Sequence, residues 1–551
     1  MDKRIIVAAG LCFVVMIAWT KLFPVQPPPP PPTPAQSVPA TAPQANGAAP
    51  SATPAPPNGA PITNRPEQLV EIDSPDVRFV FSSLGGTLVH AQLLNEKFVD
   101  RPGDPSSDHD LVASADPKQA ALRTTFPDSG FPAPADRAWE VRRPDARSVV
   151  FATDTGSVHI EKRYTVDTTR YRLQLDVSIA NRSAQPVDHH LTVSLPGRQD
   201  PEKRGGGFFA GSSANIASVL CFTDEKIERK AIDKLSKDSL DKTGLIKWIG
   251  ADEKFFLLAA VPYPETPPRP GTCSSELGAD GVGQVRLKLQ DRAVPAQGSV
   301  NYAFAVYAGP KVINDLEAVR PGGEDVQLDK AVDVTLAILS RPILSLLKFF
   351  HGFSHNWGLA IILLTVFIKL VTFYPTQKSL LSAKKMQKLA PKMNAIRKKY
   401  ENDRQRQSVE TMNLYKAHGV SPLGGCLPSL IQMPIWIALY STLNYAVELY
   451  RSSFLHIHDL TAKDPFHIGP LPLPLTPLLM GGVMFLQMRM SPAGADQQQQ
   501  KMMSTMMPVM FTAFSLFLPA GLAIYMLTSY LIGILQQLYV NHLDRKGGAK
   551  V

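Results

Sequence analysis

The sequence predicts an α-helical polytopic membrane protein, with six transmembrane helices and one large antiparallel β-sandwich between the first and the second. Three observations predict it. The apolar residues gather in a few long runs, although the averages over 551 residues are ordinary at 44% hydrophobic and 19% charged. Short runs that alternate apolar and polar residues fill the stretch from about 65 to 309, which is the pattern of half-buried strands. The formal charge is +9, yet 378–418 alone carries eleven Lys/Arg against Glu401, Asp403 and Glu410, whereas 65–330 holds 33 basic and 38 acidic residues. A single basic segment between apolar runs reads as a cytoplasmic loop under the positive-inside rule rather than as a nucleic-acid surface, and no DNA partner is expected.

The elements follow in order. Lys3 and Arg4 precede an apolar run from Ile5, and roughly 19 residues to Phe23 suffice to cross a ~30 Å hydrocarbon core. Residues 1–23 are expected to be an uncleaved signal anchor with its N-terminus inside. A cleaved signal peptide is the alternative, but no small-x-small site with a polar start follows the run. Between Pro24 and Pro61 fall 15 of the 49 prolines, with no charge, so 24–64 is expected to be a disordered proline-rich linker; a ligand for PxxP-reading domains is the alternative. Residues 65–330 are the β-sandwich, with strands expected at Val77–Phe81, Tyr171–Ile179, Leu191–Leu195, Val285–Leu289 and Tyr302–Tyr307. Gly205-Gly206-Gly207 and the charged run Asp224–Lys242 are expected as an inserted loop and surface helix.

At 331–355 the period becomes helical, with Val334, Ile338, Leu339, Ile343, Leu346, Leu347 and Phe350 on one stripe and Pro342 as a kink. Such a helix beside a membrane span lies in the interface plane, or else belongs to the core of the β-sandwich. Residues 356–545 then hold five spans, at Trp357–Tyr374, Leu427–Tyr445, Leu471–Met488, Met506–Leu518 and Leu522–Val540. Between the first two of these, 378–418 reads as a helical hairpin turning at Asn402-Asp403. A short basic tail, 546–551, closes the chain inside.

Lys369 is the sharpest candidate for chemistry, because an ammonium in an apolar run costs roughly 3 kcal/mol at the bilayer centre unless it meets water or a partner. It faces a polar groove, or its stem snorkels to the cytoplasmic surface. Thr365, one turn earlier on the same face, favours the groove. Gln432, Thr512, Ser515 and Tyr525 are further candidate groove residues; single hydroxyls in spans mostly bond their own helix, whereas the Gln432 amide needs partners that lipid lacks. In the hairpin, Lys384, Lys385, Lys388, Lys392, Arg397, Lys398 and Lys399 form either a solvated loop or a docking site for anionic lipid, ribosomal RNA or an acidic partner. The methionines around Met506 offer a plastic apolar surface or ordinary packing. His456 and His458 give only a weak metal spacing. Of four cysteines, Cys221 and Cys273 belong on the oxidising side, with their pairing open, and Cys12 and Cys426 in lipid. No Walker A, dinucleotide fingerprint, G-x-S-x-G or HExxH motif occurs, so neither an ATPase nor a hydrolase is expected, and no cofactor or metal.

Ser421-Pro422-Leu423-Gly424-Gly425-Cys426-Leu427-Pro428, followed by Ile431-Gln432-Met433-Pro434-Ile435, closely resembles the YidC membrane protein insertases. Asn356-Trp357-Gly358, Tyr374-Pro375, Lys384-Lys385-Met386, Leu414-Tyr415-Lys416, His458-Asp459-Leu460 and Pro519-Ala520-Gly521-Leu522 reinforce it, and Val70 to Leu94 looks like the start of the family's periplasmic domain. The resemblance implies an ATP-independent insertase and folding chaperone of the bacterial inner membrane, with five spans enclosing a hydrophilic groove. It implies nascent membrane proteins as clients, and the Sec translocon, the ribosome and the signal recognition machinery as partners. The family's groove arginine falls on Lys369, which keeps the charge but has no bidentate fork. Two rival readings are a small-solute transporter, which wants internal repeats that are missing here, and an anchored carbohydrate-acting enzyme, which leaves five spans unexplained.

Overall fold

The computed structural model describes residues 66–100, 107–112, 119–131, 137–199, 216–223, 226–265, 268, 270–278, 280–290, 292–334, 336–420, 427–464, 466–468, 471–490 and 497–547. The expected anchor, the proline linker, the glycine triplet at 205–207, Cys12 and the segment Ser421 to Cys426 lie outside the described residues.

Strict alternation builds the first part. In Arg172–Asn181 the side chains of Leu173, Leu175, Val177 and Ile179 point inward and are buried, while the residues between them are half-exposed. Its neighbour Val158–Val166 does the same, with Ile160 opposite Ile179. These strands belong to a nine-stranded antiparallel sheet in the order Lys226–Ala231, Ser218–Thr223, Ile246–Asp252, Phe256–Pro262, Ser299–Pro310, Arg172–Asn181, Val158–Val166, Ser148–Thr155, Glu140–Asp145. A five-stranded sheet (Asp241–Gly244, Gly271–Leu277, Val282–Leu289, Thr192–Arg198, Arg123–Thr125) shares one apolar core with it, where Leu195, Val285 and Leu287 join Val219, Ile249 and Leu257. A four-stranded sheet begins at Leu69–Asp73.

The charged run at 224–242 departs from expectation. Instead of a surface helix it forms the strand Lys226–Ala231, a single 3-10 turn at Ile232–Lys234 and the strand Asp241–Gly244. Lys226–Ala231 pairs along Ser218–Thr223 and closes one edge of the nine-stranded sheet, and an edge strand carries charge because charge discourages further pairing. Local charge density therefore mimics a solvated helix.

Three buried devices hold the sandwich. Cys221, on the nine-stranded sheet, is disulfide-bonded to Cys273, on the five-stranded sheet, with a Cα separation of 6.4 Å. Asp252, almost fully buried, accepts from Lys311 Nζ at 2.8 Å and also pairs with Arg229. Lys162 is the one charged side chain on the inner face of its strand; its amino group donates to the carbonyls of Gly85 (3.1 Å) and Leu122 (3.0 Å).

The second part is helical. A short helix α1 (Ile313–Glu317) is followed by α2 (Ala337–Ser354), α3 (Trp357–Val371), α4 (Phe373–Lys388), α5 (Ala390–Lys399), α6 (Arg404–Ala417), α7 (Leu427–Tyr445), α8 (Leu475–Met490), α9 (Gln497–Ser515) and α10 (Ala520–Gly547). Asn356 caps α3 by accepting from Leu359 N at 3.0 Å, and Asp403 caps α6 by accepting from Arg406 N at 2.9 Å. α2 runs through Pro342, buries Ile343, Leu344 and Leu347 in the helical core rather than in the β core, and leaves Phe349 and Phe353 exposed. α3 packs on α2 and α10, α10 on α8, and α8 on α9. Among the described residues, Ala520–His542 is long and apolar enough to cross a membrane by itself, and α3 with α4 qualifies as a pair bent by 62°. At 15 and 16 residues, α3 and α8 rise only ~22–24 Å.

Candidate functional site

Lys369 stands in the last turn of α3, just before the bend at Thr372. It is half-buried and makes no hydrogen bond or ion pair among the described residues. On one side of it are Thr365 and Ile368, which are buried; on the other, Val366, Leu370 and Val371 are exposed, the last two by 68% and 65%. A helix C-terminus carries partial negative charge, which favours an ammonium there. The cation therefore sits on the line between an apolar surface and the packed interior.

The neutral candidates divide into two kinds. Thr365 is fully buried and its hydroxyl donates to Ile361 O at 2.6 Å; Thr512 donates to Pro508 O at 2.7 Å, and Ser515 to Thr512 O at 2.7 Å. These hydroxyls serve carbonyls of their own helices, which satisfies them without lipid or water. Thr512 also faces α8 at Gly481, where any Cβ would collide with its hydroxyl, so glycine sets how closely α8 and α9 approach. Gln432 and Tyr525 behave differently. The Gln432 amide donates to the Tyr525 hydroxyl and ties α7 to α10, with Tyr525 only 1% exposed. Lys369, Thr365 and Gln432 are not hydrogen-bonded to one another.

Residues beyond the sequence-based candidates take part in the same helix contacts. Gln536 Nε2 donates to Phe373 O at 3.3 Å and fastens α10 to the start of α4, just past the bend that follows Lys369. Ser340 donates to Ala438 O at 3.2 Å and Thr442 to Ser340 O at 3.3 Å, which join α2 to α7. The signal for Gln536, an amide in an apolar run, is the same one that singles out Gln432.

The basic hairpin is built on a small core of Leu389, Met393, Tyr415 and Val420, with the Tyr415 hydroxyl 3.1 Å from Met393 Sδ. Met393 on α5 and Tyr415 on α6 supply it, together with Leu389 just before α5 and Val420 just after α6. Lys385, Lys388, Lys392, Lys398 and Lys399 are exposed; Lys384 and Arg397 are half-buried. Lys399 and Arg406 flank the Tyr400 ring at 5.4 and 5.6 Å. On the loop after α7, His456 lies 3.2 Å from Asp464 Oδ1 and 3.3 Å from the Thr476 hydroxyl, and among the described residues no group of three or more His, Cys, Asp or Glu side chains could hold a metal ion.

Comparison with known proteins covers nearly the whole chain. Residues 69–346 match the family model described as YidC periplasmic domain, and residues 349–546 match the model described as 60Kd inner membrane protein. A membrane protein insertase YidC from Anaeromyxobacter sp. (strain Fw109-5) is 36% identical, over 98% of this chain and 96% of the relative. Another from Syntrophus aciditrophicus (strain SB) is 33% identical over 98% and 99%. A crystal structure of an active YidC insertase with its first transmembrane domain resolved aligns with 86% of this chain and 92% of that one, at 20% identity and a TM-score of 0.36.

Proposed function

The chain belongs to the YidC family of membrane protein insertases, and from that membership we propose that it inserts nascent proteins into the bacterial inner membrane through a polar groove among its helices. The observation that carries this reading is the end-to-end match to insertases, at 36% identity over 98% of the chain, with the β part falling on the family's periplasmic domain. It is an insertase and not an enzyme.

The groove works by solvation. A polar stretch of a client crossing hydrocarbon loses its water, and each unsatisfied backbone group costs several kcal/mol. Lys369 supplies a charge with no protein partner among the described residues, and Gln432 and Tyr525 supply an amide and a hydroxyl that a client can share. Thr365 on α3 and Thr512 and Ser515 on α9 are secondary groups, since their hydroxyls already donate within their own helices. The apolar part of the client leaves sideways into lipid.

In the proposed arrangement six helices cross the membrane: the anchor at 1–23 and five from the core at 356–545. Both chain ends and the hairpin at 378–418 are cytoplasmic, and the sandwich at 65–330 is periplasmic. The eleven cations of the hairpin support docking of the ribosome, of the signal recognition machinery or of anionic lipid, and a partnership with the Sec translocon completes the pathway. Insertion proceeds without ATP hydrolysis in this reading, since the sequence contains no Walker A motif.

Substitution at Lys369 tests it. Lys369→Arg keeps insertion, Lys369→Glu abolishes it, and Lys369→Ala gives a partial defect, largest for clients with charged translocated tails. Insertion is compared in proteoliposomes at equal protein level. Full activity of both the Ala and Glu variants would leave snorkelling as the only role of the residue.

A further inference from the structure

A cavity of about 360 Å³ lies where the β part meets the ends of the helices, within the ~300–1,000 Å³ range of small-ligand sites. Lys254 and Phe256 line it from the β side; Tyr450, Arg451, Lys463 and Phe517 line it from the helical side. Two carboxylates face it as well, and both are engaged. Glu253 Oε2 is 3.2 Å from His109 Nε2, and the other nitrogen of that buried ring is 3.0 Å from Asp100 Oδ1. Asp459 Oδ1 accepts from the amides of Arg451 (3.1 Å) and Thr461 (2.8 Å) and from the Thr461 hydroxyl (2.7 Å).

The cations are less well served. Arg451 Nη2 donates to the carbonyl of Asp100 at 2.7 Å, but Nη1 is buried with no hydrogen-bond partner. The residue also holds a left-handed backbone, φ +50°, which a non-glycine residue keeps only when its surroundings enforce it. Lys463 stands over the Phe517 ring at 5.4 Å, and neither Arg451 nor Lys463 joins an ion pair among the described residues. Arg451 lines the cavity, and a buried guanidinium nitrogen without an acceptor costs free energy that an anion reached by a small turn of the side chain would recover. The lining carries His109, Lys254, Arg451 and Lys463 against Glu253 and Asp459, so it favours a negative guest.

We propose that this cavity binds the phosphate of an anionic phospholipid headgroup from the outer leaflet of the membrane. Its place argues for a lipid: Arg451 follows the end of α7 and Pro519 precedes α10, so the cavity lies at the level where helices leave the hydrocarbon. Aromatic residues, at home where an apolar body meets a wet edge, form its walls. In this role the lipid fastens the β part to the helices as a third partner. The proposal rests on the reading above that these helices span the bilayer.

The test uses the full chain in detergent, with native mass spectrometry of retained palmitoyl-oleoyl phosphatidylglycerol and phosphatidylcholine. Wild type should retain phosphatidylglycerol preferentially. The double variant Arg451→Gln, Lys463→Gln should lose roughly tenfold or more of that preference, as expected for charge-assisted bonds, while Arg451→Lys keeps part of it. Far-UV circular dichroism and a gel-filtration profile identical to wild type show that the fold is intact. The hairpin is unchanged in every variant, so any lipid it holds cancels. Unchanged phosphatidylglycerol retention in the double variant overturns the site. Displacement of the lipid by millimolar glycerol 3-phosphate or inorganic phosphate overturns the lipid as its source. Extraction of the chain from vesicles by alkaline carbonate would overturn the membrane reading itself, whereas an integrated chain without the preference overturns this site alone.

Discussion

Gln432→Leu is the most informative single change in the helical core. The leucine has similar bulk but no amide, so the Tyr525 hydroxyl, on a side chain 1% exposed, loses the donor that ties α7 to α10. A buried hydroxyl left wholly without a partner costs ~1–3 kcal/mol in a soluble protein, but the Tyr525 hydroxyl keeps Ser529 beside it. Cross-helix bonds inside membranes average nearer ~0.6 and reach ~1.7 kcal/mol, because the separated helices find other partners. α10 is also held by Gln536 on Phe373 O, so the lower figure applies. Equilibrium unfolding in mixed micelles of the two single variants, Gln432→Leu and Tyr525→Phe, and of the double variant should yield a coupling of about 0.6–1.7 kcal/mol. Insertion of a client with a polar translocated tail, measured on the same proteins, separates clamp from solvent. If Gln432 solvates clients, Gln432→Leu slows insertion more than Tyr525→Phe does at matched stability. Zero coupling would refute the bond, and wild-type insertion by Gln432→Leu would refute the solvating role.

Three further outcomes are expected. Asp252→Ala leaves Lys311 and Arg229 facing one another without their carboxylate and should destabilise the sandwich by about 3–5 kcal/mol, read as a lowered melting temperature of the full chain; a change under about 1 kcal/mol would contradict a paired, charged Asp252. Burial works against the charge on His109, but Glu253 and then Asp100 outweigh it and raise its pKa from 6.5 to about 9. The stabilisation is therefore complete below about pH 6.5 and disappears as pH rises through about 9, so wild-type melting should fall across that window and His109→Gln should lack the fall. Neutralising Lys384, Lys385, Lys388 and Lys392 together should weaken ribosome co-sedimentation at low salt and reduce its salt dependence, with membrane integration unchanged; identical co-sedimentation would remove the docking role.

What could be read in the sequence was what repeats locally. The alternation in Arg172–Asn181 marks a strand without reference to any other part of the chain, because side chains on a pleated backbone point to opposite faces every second residue. The apolar run Leu427–Tyr445 is a helix with those very ends, and Leu389, Met393 and Tyr415 of the hairpin enter its small core, whereas Val409 and Met412, at the same helical spacing as Tyr415, stay exposed. Lys369 and Gln432 were visible for the complementary reason: a charge or an amide in an apolar run is costly wherever the run ends up. Tertiary structure decided everything that depends on a partner far along the chain. Lys226–Ala231 is a strand because Ser218–Thr223 offers it an edge, not because its charged residues prefer that state. Cys221 finds Cys273 at a separation of 52 residues because two sheets stack, and no spacing rule encodes that distance. The Gln432 amide meets Tyr525, 93 residues away, and Arg451, with one nitrogen unsatisfied, lines a cavity that two parts of the chain close together. Periodicity is a property of a segment and survives in the linear sequence, whereas pairing is a property of the packed molecule, set by which surfaces bury each other and which polar groups must then find company.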